Sequence, residues 1–498
     1  MPGRLSTRFF VAKRNQKTVA GLAGIAMVLG GCTVGPNFWA PKLDLPAQFT
    51  ERPATPADIA LTDAQLTRWW RSFDDPTLDR LIDEAIAGNI DLQAARERLI
   101  EAREARIETA AGALPSIDFG TEAARARAST TLEYPPGFGN YHAYQLGFDA
   151  SWELDIFGEN RRETEAATAR VGASIADRRA ILISLLSEVA SDYASLRAAQ
   201  ARLAIAEDNV RTAQQVVSLA AQEESQGIGT TLETIQARAQ LEQTQSTLPG
   251  LRARIAVDAH AIAVLLGLYP GELEKMLDRR RPRMMAPATI PDTIPAEVIA
   301  NRPDVHEALL QYAAANAEIG VATAEELPHV SIPLSITPQA SVLGELFEGA
   351  SLTYSLALSG AQHIYQGGRL NARLRAARAA AEVARLDYKE TVLSALQQVE
   401  DALVRVQTER EANASLVLSV RDARTALSQS TRLYNAGLTD FLTVLTDERT
   451  VFASRDALAE SDLALVDDYI SLFKALGGGW QTIQLDPPAS GISSPGTR

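Results

Sequence analysis

Five histidines, one cysteine and two pairs of adjacent aspartates are the groups in this 498-residue chain best suited to making or breaking bonds. His142, His260, His306, His329 and His363 form no HExxH pair, and no GxSxG, Walker or GxGxxG pattern accompanies them. Asp74-Asp75 and Asp467-Asp468 are neighbours along the chain, whose side chains normally point apart, so they read as surface charges rather than as a catalytic pair. One cysteine allows no internal disulfide, no CxxC redox pair and no thiolate zinc cluster. Nothing converges on a nucleophile, a base and an oxyanion donor. The chain therefore reads as a non-enzyme, with no catalytic, cofactor-binding or metal-binding residues and no cofactor, and Cys32 needs its own explanation.

Residues 1–31 carry Arg4, Arg8, Lys13, Arg14 and Lys17 and no acid, then an apolar run from Val19 to Leu29 closed by Gly30 and Gly31, which is a secretory signal layout. The run falls well short of the roughly 20 helical positions that a bilayer span requires. Leu29-Gly30-Gly31-Cys32 resembles the bacterial lipobox, in which the cysteine is acylated and becomes the new N-terminus; a buried free cysteine is the plainer alternative. Each buried CH₂ of an acyl chain adds about 0.8 kcal/mol to membrane binding, so a multiply acylated terminus holds firmly. Thr33 stands where inner-membrane retention would need aspartate, so the expected address is the outer membrane. The signal holds five of the 48 cations and none of the 62 acids, so without it the formal charge goes from −14 to −19. With no basic block left, nucleic acid is excluded as a partner. No later stretch reaches eighteen apolar residues; Ile255 to Leu268 is interrupted by Asp258 and His260.

The elements that would position any site are written twice. Asp91 and Pro115 in the front half correspond to Asp304 and Pro328 in the back, both at an offset of 213. Leu182, Val189, Leu196, Leu203, Val210 and Val217 recur every seventh residue, and Val392, Val399, Val406, Asn413, Val420 and Leu427 stand 210 further on, with Tyr434 continuing the second ladder. Ala199, Ala206, Ala213 and Ala220 fill the other seam position, so the pattern predicts long helices of 3.5 period, the first from about Gly158 to Gln226. Before each ladder comes a pair of strand-like segments. Tyr144, Leu146, Phe148, Ala150, Trp152, Leu154 and Ile156 alternate with polar or small residues; Val330 to Thr337 and Leu352 to Ser359 do the same, and Ile117, Phe119 and Thr121 do so more weakly. Pro333 points to an edge strand or an irregular pairing. Strands with one lipid-suited face are what a transmembrane barrel uses, and four cannot close one, so several chains must share it.

Cys32-Thr-Val-Gly-Pro-Asn-Phe38, Trp70-Arg-Ser-Phe73-Asp-Asp-Pro76-Thr-Leu78, Trp152-Glu-Leu-Asp-Ile-Phe-Gly158, Arg302-Pro-Asp304, Gln366-Gly-Gly-Arg369-Leu and the stretch from Gly437 to Arg449 occur in one order. Together they resemble the TolC family of outer-membrane ducts, in its lipoprotein branch (OprM-like, also called NodT), which serves RND multidrug efflux pumps. The resemblance implies an α+β membrane protein: a homotrimer sharing a twelve-stranded outer-membrane barrel, four strands per chain, continued by a long periplasmic coiled-coil helical barrel with an internal twofold repeat. It implies a periplasmic adaptor (membrane-fusion) protein, an inner-membrane RND transporter and outer-membrane lipid as partners. The expected organisation is a signal peptide at 1–31, an acylated N-terminal and equatorial segment at 32–80, a first repeat at 81–267, an equatorial linker at 268–300, a second repeat at 301–476 and a partly disordered tail at 477–498.

By the same resemblance the periplasmic end is closed around two hairpin turns, where Gly227, Gly229, Gly437 and Thr439 would dock the adaptor. Thr230 and Glu233 fit a capping box for the returning helix. Leu442 falls where the branch narrows its pore with an apolar ring, and Arg449 where a basic residue ties neighbouring helices. Thr446 replaces the family's usual aspartate, and Asp447 lies about 100° further round the helix. Glu233 is the matching acid of the first tip, with Arg238 as its expected salt-bridge partner. The implied function is export of small molecules such as drugs through a gated duct. The alternatives are a type I protein-secretion channel and a non-pore periplasmic coiled-coil scaffold lipoprotein.

Overall fold

The computed structural model describes residues 33–42, 49, 66–127, 140–277, 283–287, 296–481 and 483. The expected signal peptide, Cys32 and the tail after Gln484 lie outside the described residues. Two compact units are built from alternating stretches of chain, the first from described residues within 1–41, 101–172 and 309–386, the second from the remainder.

In chain order the principal elements are α1 (Pro76–Gly88), α2 (Ile90–Ala111), β1 (Ser116–Arg127), β2 (Asn140–Leu154), α3 (Glu159–Gln226), α4 (Thr231–Gln245), α5 (Thr247–Leu265), α6 (Pro303–Ala324), β3 (His329–Ala340), β4 (Leu352–Leu356), β5 (Ser359–Ala361), α7 (Arg369–Asn435) and α8 (Phe441–Ala475). With 68 residues, α3 runs about 100 Å at 1.5 Å per residue. The helix returning from it breaks at Ser246. Pro249 has no N–H for the Gln245 carbonyl and its ring crowds that carbonyl, which accounts for the break.

The first unit holds one antiparallel sheet in the order β1-β2-β3-β4, with β5 also pairing β3. Its register aligns Phe119, Phe148, Ile336 and Tyr354 in one row across four strands, and Ile117, Ala150, Leu334 and Leu356 in the row beside it. The first row is exposed throughout, at 59, 55, 43 and 79%. Between those rows, on the opposite face, Asp118, Asp149, Ser335 and Ser355 align. One face is therefore apolar and uncovered, the other polar. Pro333 is not on an edge: β3 is central, between β2 and the pieces β4 and β5. Irregular pairing accommodates it instead. The partner strand is interrupted at Ala357-Leu358, opposite the proline, where the Pro333 carbonyl still accepts from the Ala357 N–H at 3.1 Å.

The same unit fixes the start of the described chain. Arg162 on α3 is 3% exposed and donates to the Val34 carbonyl, the Gly35 carbonyl and Asn37 Oδ1, while pairing with Glu165 at 2.7 Å. Val34 N–H reaches the Phe157 carbonyl at 3.0 Å. Gly35, at φ +87°, lies so close to α6 that a Cβ would sit 2.4 Å from Gly320 Cα. The Asp155 carboxylate accepts from the N–H groups of Asn160 and Arg161 at the head of α3, so the Trp152–Gly158 motif is a strand-to-helix turn with its own cap.

In the second unit Trp69, Trp70 and Phe73 are buried, with Trp69 stacked on Phe473 at 5.5 Å. Leu182, Val189, Leu196, Val399 and Val406 are buried, and so are all four seam alanines. Small residues facing large ones let the helices approach closely. Arg202 grips Asp456 with two hydrogen bonds, and Arg455 pairs with Asp208 at 2.9 Å, tying α3 to α8.

Candidate functional site

Both hairpin turns follow one local rule. Gly227 sits at φ +74°, its N–H on the Glu224 carbonyl, while the Ile228 N–H reaches Glu223. Gly437 sits at φ +70°, its N–H on Tyr434, while the Leu438 N–H reaches Leu433. This is the Schellman ending, for which glycine takes the left-handed step without a Cβ clash. Thr230 then caps α4 reciprocally: its Oγ1 accepts from the Glu233 N–H at 3.3 Å, and its own N–H donates to Glu233 Oε2 at 2.7 Å. Asp440, just after Thr439, caps α8 by accepting from the Thr443 hydroxyl and N–H, which holds its carboxyl below the usual range. Ile228 and Leu438 project at the turns, 75 and 73% exposed.

Around these turns the expected site residues divide. Glu233 is taken up by the capping box, and no ion pair joins it to Arg238 among the described residues; five helical positions place the two about 140° apart. Arg238 acts instead on Glu224, whose carboxyl is held low first by the Thr234 hydroxyl, then by Thr231, then by that charge. Leu442 is exposed on α8. The Thr446 hydroxyl returns to the Leu442 carbonyl at 2.7 Å and so brings no charge to this level. Asp447 is half-buried. Arg449 Nε donates to Gln240 Oε1 on α4, linking the two hairpins.

Two residues near this link were not anticipated from the sequence. Tyr434 Oη on α7 donates to Glu223 Oε2 on α3 at 2.6 Å. Its ring packs against Phe441 at 5.9 Å, beside a small core of Ala220, Ala237 and Leu445. Burial and the Glu223 acceptor push the Tyr434 hydroxyl far up, so it remains a donor at any physiological pH. Its signal in the sequence was a hydroxyl at the end of a mostly apolar ladder. Glu448 is the second: burial raises its carboxyl, and Oε2 has no hydrogen-bond partner among the described residues.

Further along the helices, acids expected on the surface are half-buried. Asp467 accepts from Ser191 at 2.7 Å, while Asp468 faces Arg405 and Glu409. The adjacent side chains do point apart, but into packed helices. Asp192, beside Asp258, Glu188, Arg254 and Asp467, is pushed up to about 6, chiefly by burial, and so is Asp468. A carboxylate raised in the folded state binds its proton more tightly there than in the unfolded chain. Its stabilising contribution is complete below the unfolded value near 3.8 and disappears as pH rises through 6. The thermal midpoint is therefore expected to rise as pH falls from 7.5 to 5. Asp192→Asn should raise it at pH 7.5, through a gain in stability of about 1 kcal/mol after solvent screening, and flatten the profile. An unchanged profile in Asp192→Asn would remove this assignment. Asp75, the other adjacent acid, caps α1 and accepts from Tyr193 Oη at 2.7 Å, which is a structural task.

Comparison with known proteins agrees with this layout. A nodulation protein T of Rhizobium leguminosarum bv. trifolii is 30% identical over 92% of this chain and 97% of its own length. The antibiotic efflux pump outer membrane protein ArpC of Pseudomonas putida is 30% identical over 95% of this chain and 98% of its own. The solved outer-membrane channel OprN superposes with a TM-score of 0.83 at 33% identity, covering 90% of this chain and all of that one. Residues 81–268 and 294–478 match the outer membrane efflux protein model, well over half of the sequence, and the chain belongs to that family of efflux ducts.

Proposed function

We propose that this chain forms the lipid-anchored, trimeric outer-membrane duct of a tripartite RND-type pump and exports small molecules such as drugs through a pore gated at the hairpin tips. The carrying observation is the uncovered apolar row Phe119, Phe148, Ile336 and Tyr354, on a sheet whose β1 and β4 edges have no partner within the described residues. In hydrocarbon every backbone N–H and C=O must be satisfied, so such a sheet needs neighbouring copies to close it. Three copies of a four-strand order supply a twelve-stranded barrel. The order helix, two strands, long helix and return recurs on either side of residue 300, which supports two repeats at 81–267 and 301–476 joined by an equatorial linker. Apolar residues left bare on α7, among them Val383, Leu393 and Val417, suit helix packing between chains.

Lipidation of Cys32 accords with how firmly Arg162 holds the next few residues beside the end of β2, the level at which the sheet would leave the membrane. The paired turns at Gly227 and Gly437, with exposed Ile228 and Leu438, offer a docking surface for the periplasmic adaptor.

The test pairs a deletion strain with the native mass of the protein kept unheated in mild detergent. Sensitivity to dyes and lipophilic antibiotics, with an assembly of about three chains in the outer-membrane fraction, is expected. Retained resistance with lost secretion of one polypeptide would assign the duct to protein export. A detergent-free soluble monomer would remove the barrel.

A further inference from the structure

Where the sheet passes into the long helix, three donor atoms from three elements converge. His329 Nδ1, on the first residue of β3, lies 2.9 Å from Glu153 Oε1 near the end of β2 and 3.5 Å from Glu159 Oε2 on the first residue of α3. All three atoms lie within 4.8 Å of one another. One ring nitrogen carries at most one proton, so hydrogen bonding alone serves one of these two carboxylates. The surrounding charge sharpens the problem. Glu163 lines the same cleft of about 200 Å³, and the neighbouring arginines already have partners, Arg161 on Asp155 and Arg373 on Glu325. A second imidazole, His363, stands with its ring centre 6.5 Å from that of His329.

We propose that Glu153, Glu159 and His329 form a binding site for a divalent transition-metal ion of the Zn²⁺ class, clipping together the ends of β2, β3 and α3. The donor set decides the class: imidazole nitrogen with carboxylate oxygens suits zinc, whereas calcium and magnesium favour oxygen alone. Tetrahedral zinc with bonds of about 2.0–2.1 Å needs donor-to-donor separations of about 3.3–3.4 Å, which fall between the two His329 distances observed. His363 or water completes the coordination. The ion would neutralise a crowded group of carboxylates and fix the strand-to-helix turn. The site owes nothing to what the duct transports.

The experiment uses untagged full-length mature protein in detergent, stripped with chelator and titrated calorimetrically with Zn²⁺ alone near neutral pH. Uptake of about one Zn²⁺ per chain is expected, weakened at least roughly tenfold in His329→Ala and in the isosteric Glu159→Gln. Zinc should also raise the thermal midpoint of the wild type and leave that of both variants unmoved. His142→Ala, on a strand residue outside the cluster, should bind as wild type. Absence of uptake in the wild type, or equal uptake in wild type, His329→Ala and Glu159→Gln, would overturn the site. Because Glu159→Gln preserves shape, the comparison survives a His329→Ala chain that fails to fold.

Discussion

Tyr434→Phe is expected to increase ion flow through the assembled duct sharply while leaving the amount of protein in the outer membrane unchanged. The Tyr434 hydroxyl and the Glu223 carboxylate join the first hairpin to the second at 2.6 Å, and the phenyl ring would keep every apolar contact with Phe441. A hydrogen bond to a charged group contributes about 1.5–3 kcal/mol. If closure holds the two hairpins together, its loss shifts each chain's closed-to-open ratio by roughly ten- to hundredfold, and a symmetric assembly multiplies the effect. Arg449→Ala, which frees Gln240, should act in the same direction but more weakly, since that pair is exposed whereas the Tyr434–Glu223 pair is partly buried. Single-channel conductance in planar bilayers measures both. Tyr434→Phe combined with Glu223→Gln should open no further than Tyr434→Phe alone, because Tyr434→Phe already removes the bond whose charged acceptor Glu223→Gln takes away. A double variant with wild-type conductance would show that the gate lies elsewhere, with exposed Leu442 the next residue to test.

What could be read without coordinates was what repeats locally. The seven-residue ladders and proline-free runs specify α3 and α7, and alternation specifies β2, because these signals depend on a residue's nearest neighbours in sequence. Gly227 and Gly437 mark their turns for the same reason: one backbone step needs a residue without a Cβ. Pairing over long distances was not legible. Glu223 and Tyr434 are 211 residues apart, and neither ladder states which of its faces meets the other. Asp467 and Asp468 looked like surface charges because adjacency shows only that side chains diverge, not that both directions lead into packed helices. Pro333 was ambiguous because a strand's place in a sheet depends on its partner, and here the partner is interrupted opposite the proline. The triad of Glu153, Glu159 and His329 was invisible in principle, since His329 follows Glu153 by 176 positions. The hairpin-tip glycines and the apolar strand face were thus read correctly as local features, whereas the bonds that join one hairpin to another were not.

Arg197 should be the most damaging single truncation in the second unit. It is 1% exposed on α3, and its guanidinium donates to Tyr193 Oη at 2.9 Å and Gln200 Oε1 at 2.6 Å while lying 4.9 Å over the Tyr193 ring. Gln200 in turn donates to the Leu277 carbonyl at 2.7 Å, and Tyr193 Oη to Asp75 Oδ2, the cap of α1. One charge therefore organises the first helix, the long helix and the segment around Leu277. Removing one member of a buried charged network typically costs about 3–5 kcal/mol, because the remaining polar groups stay buried without their partner. Arg197→Ala is accordingly expected to lower the thermal midpoint strongly and to deplete the assembled protein from the outer membrane. Arg197→Met keeps the packing volume but not the charge. If burial of unpaired polar groups dominates, it should be nearly as harmful as alanine; if the aliphatic stem dominates, it should restore most of the loss. Adding Tyr193→Phe and Gln200→Leu to Arg197→Met should lower stability further, because the Leu277 carbonyl and Asp75 Oδ2 then lose their donors as well. An Arg197→Ala protein with wild-type stability would show that the network merely fills space.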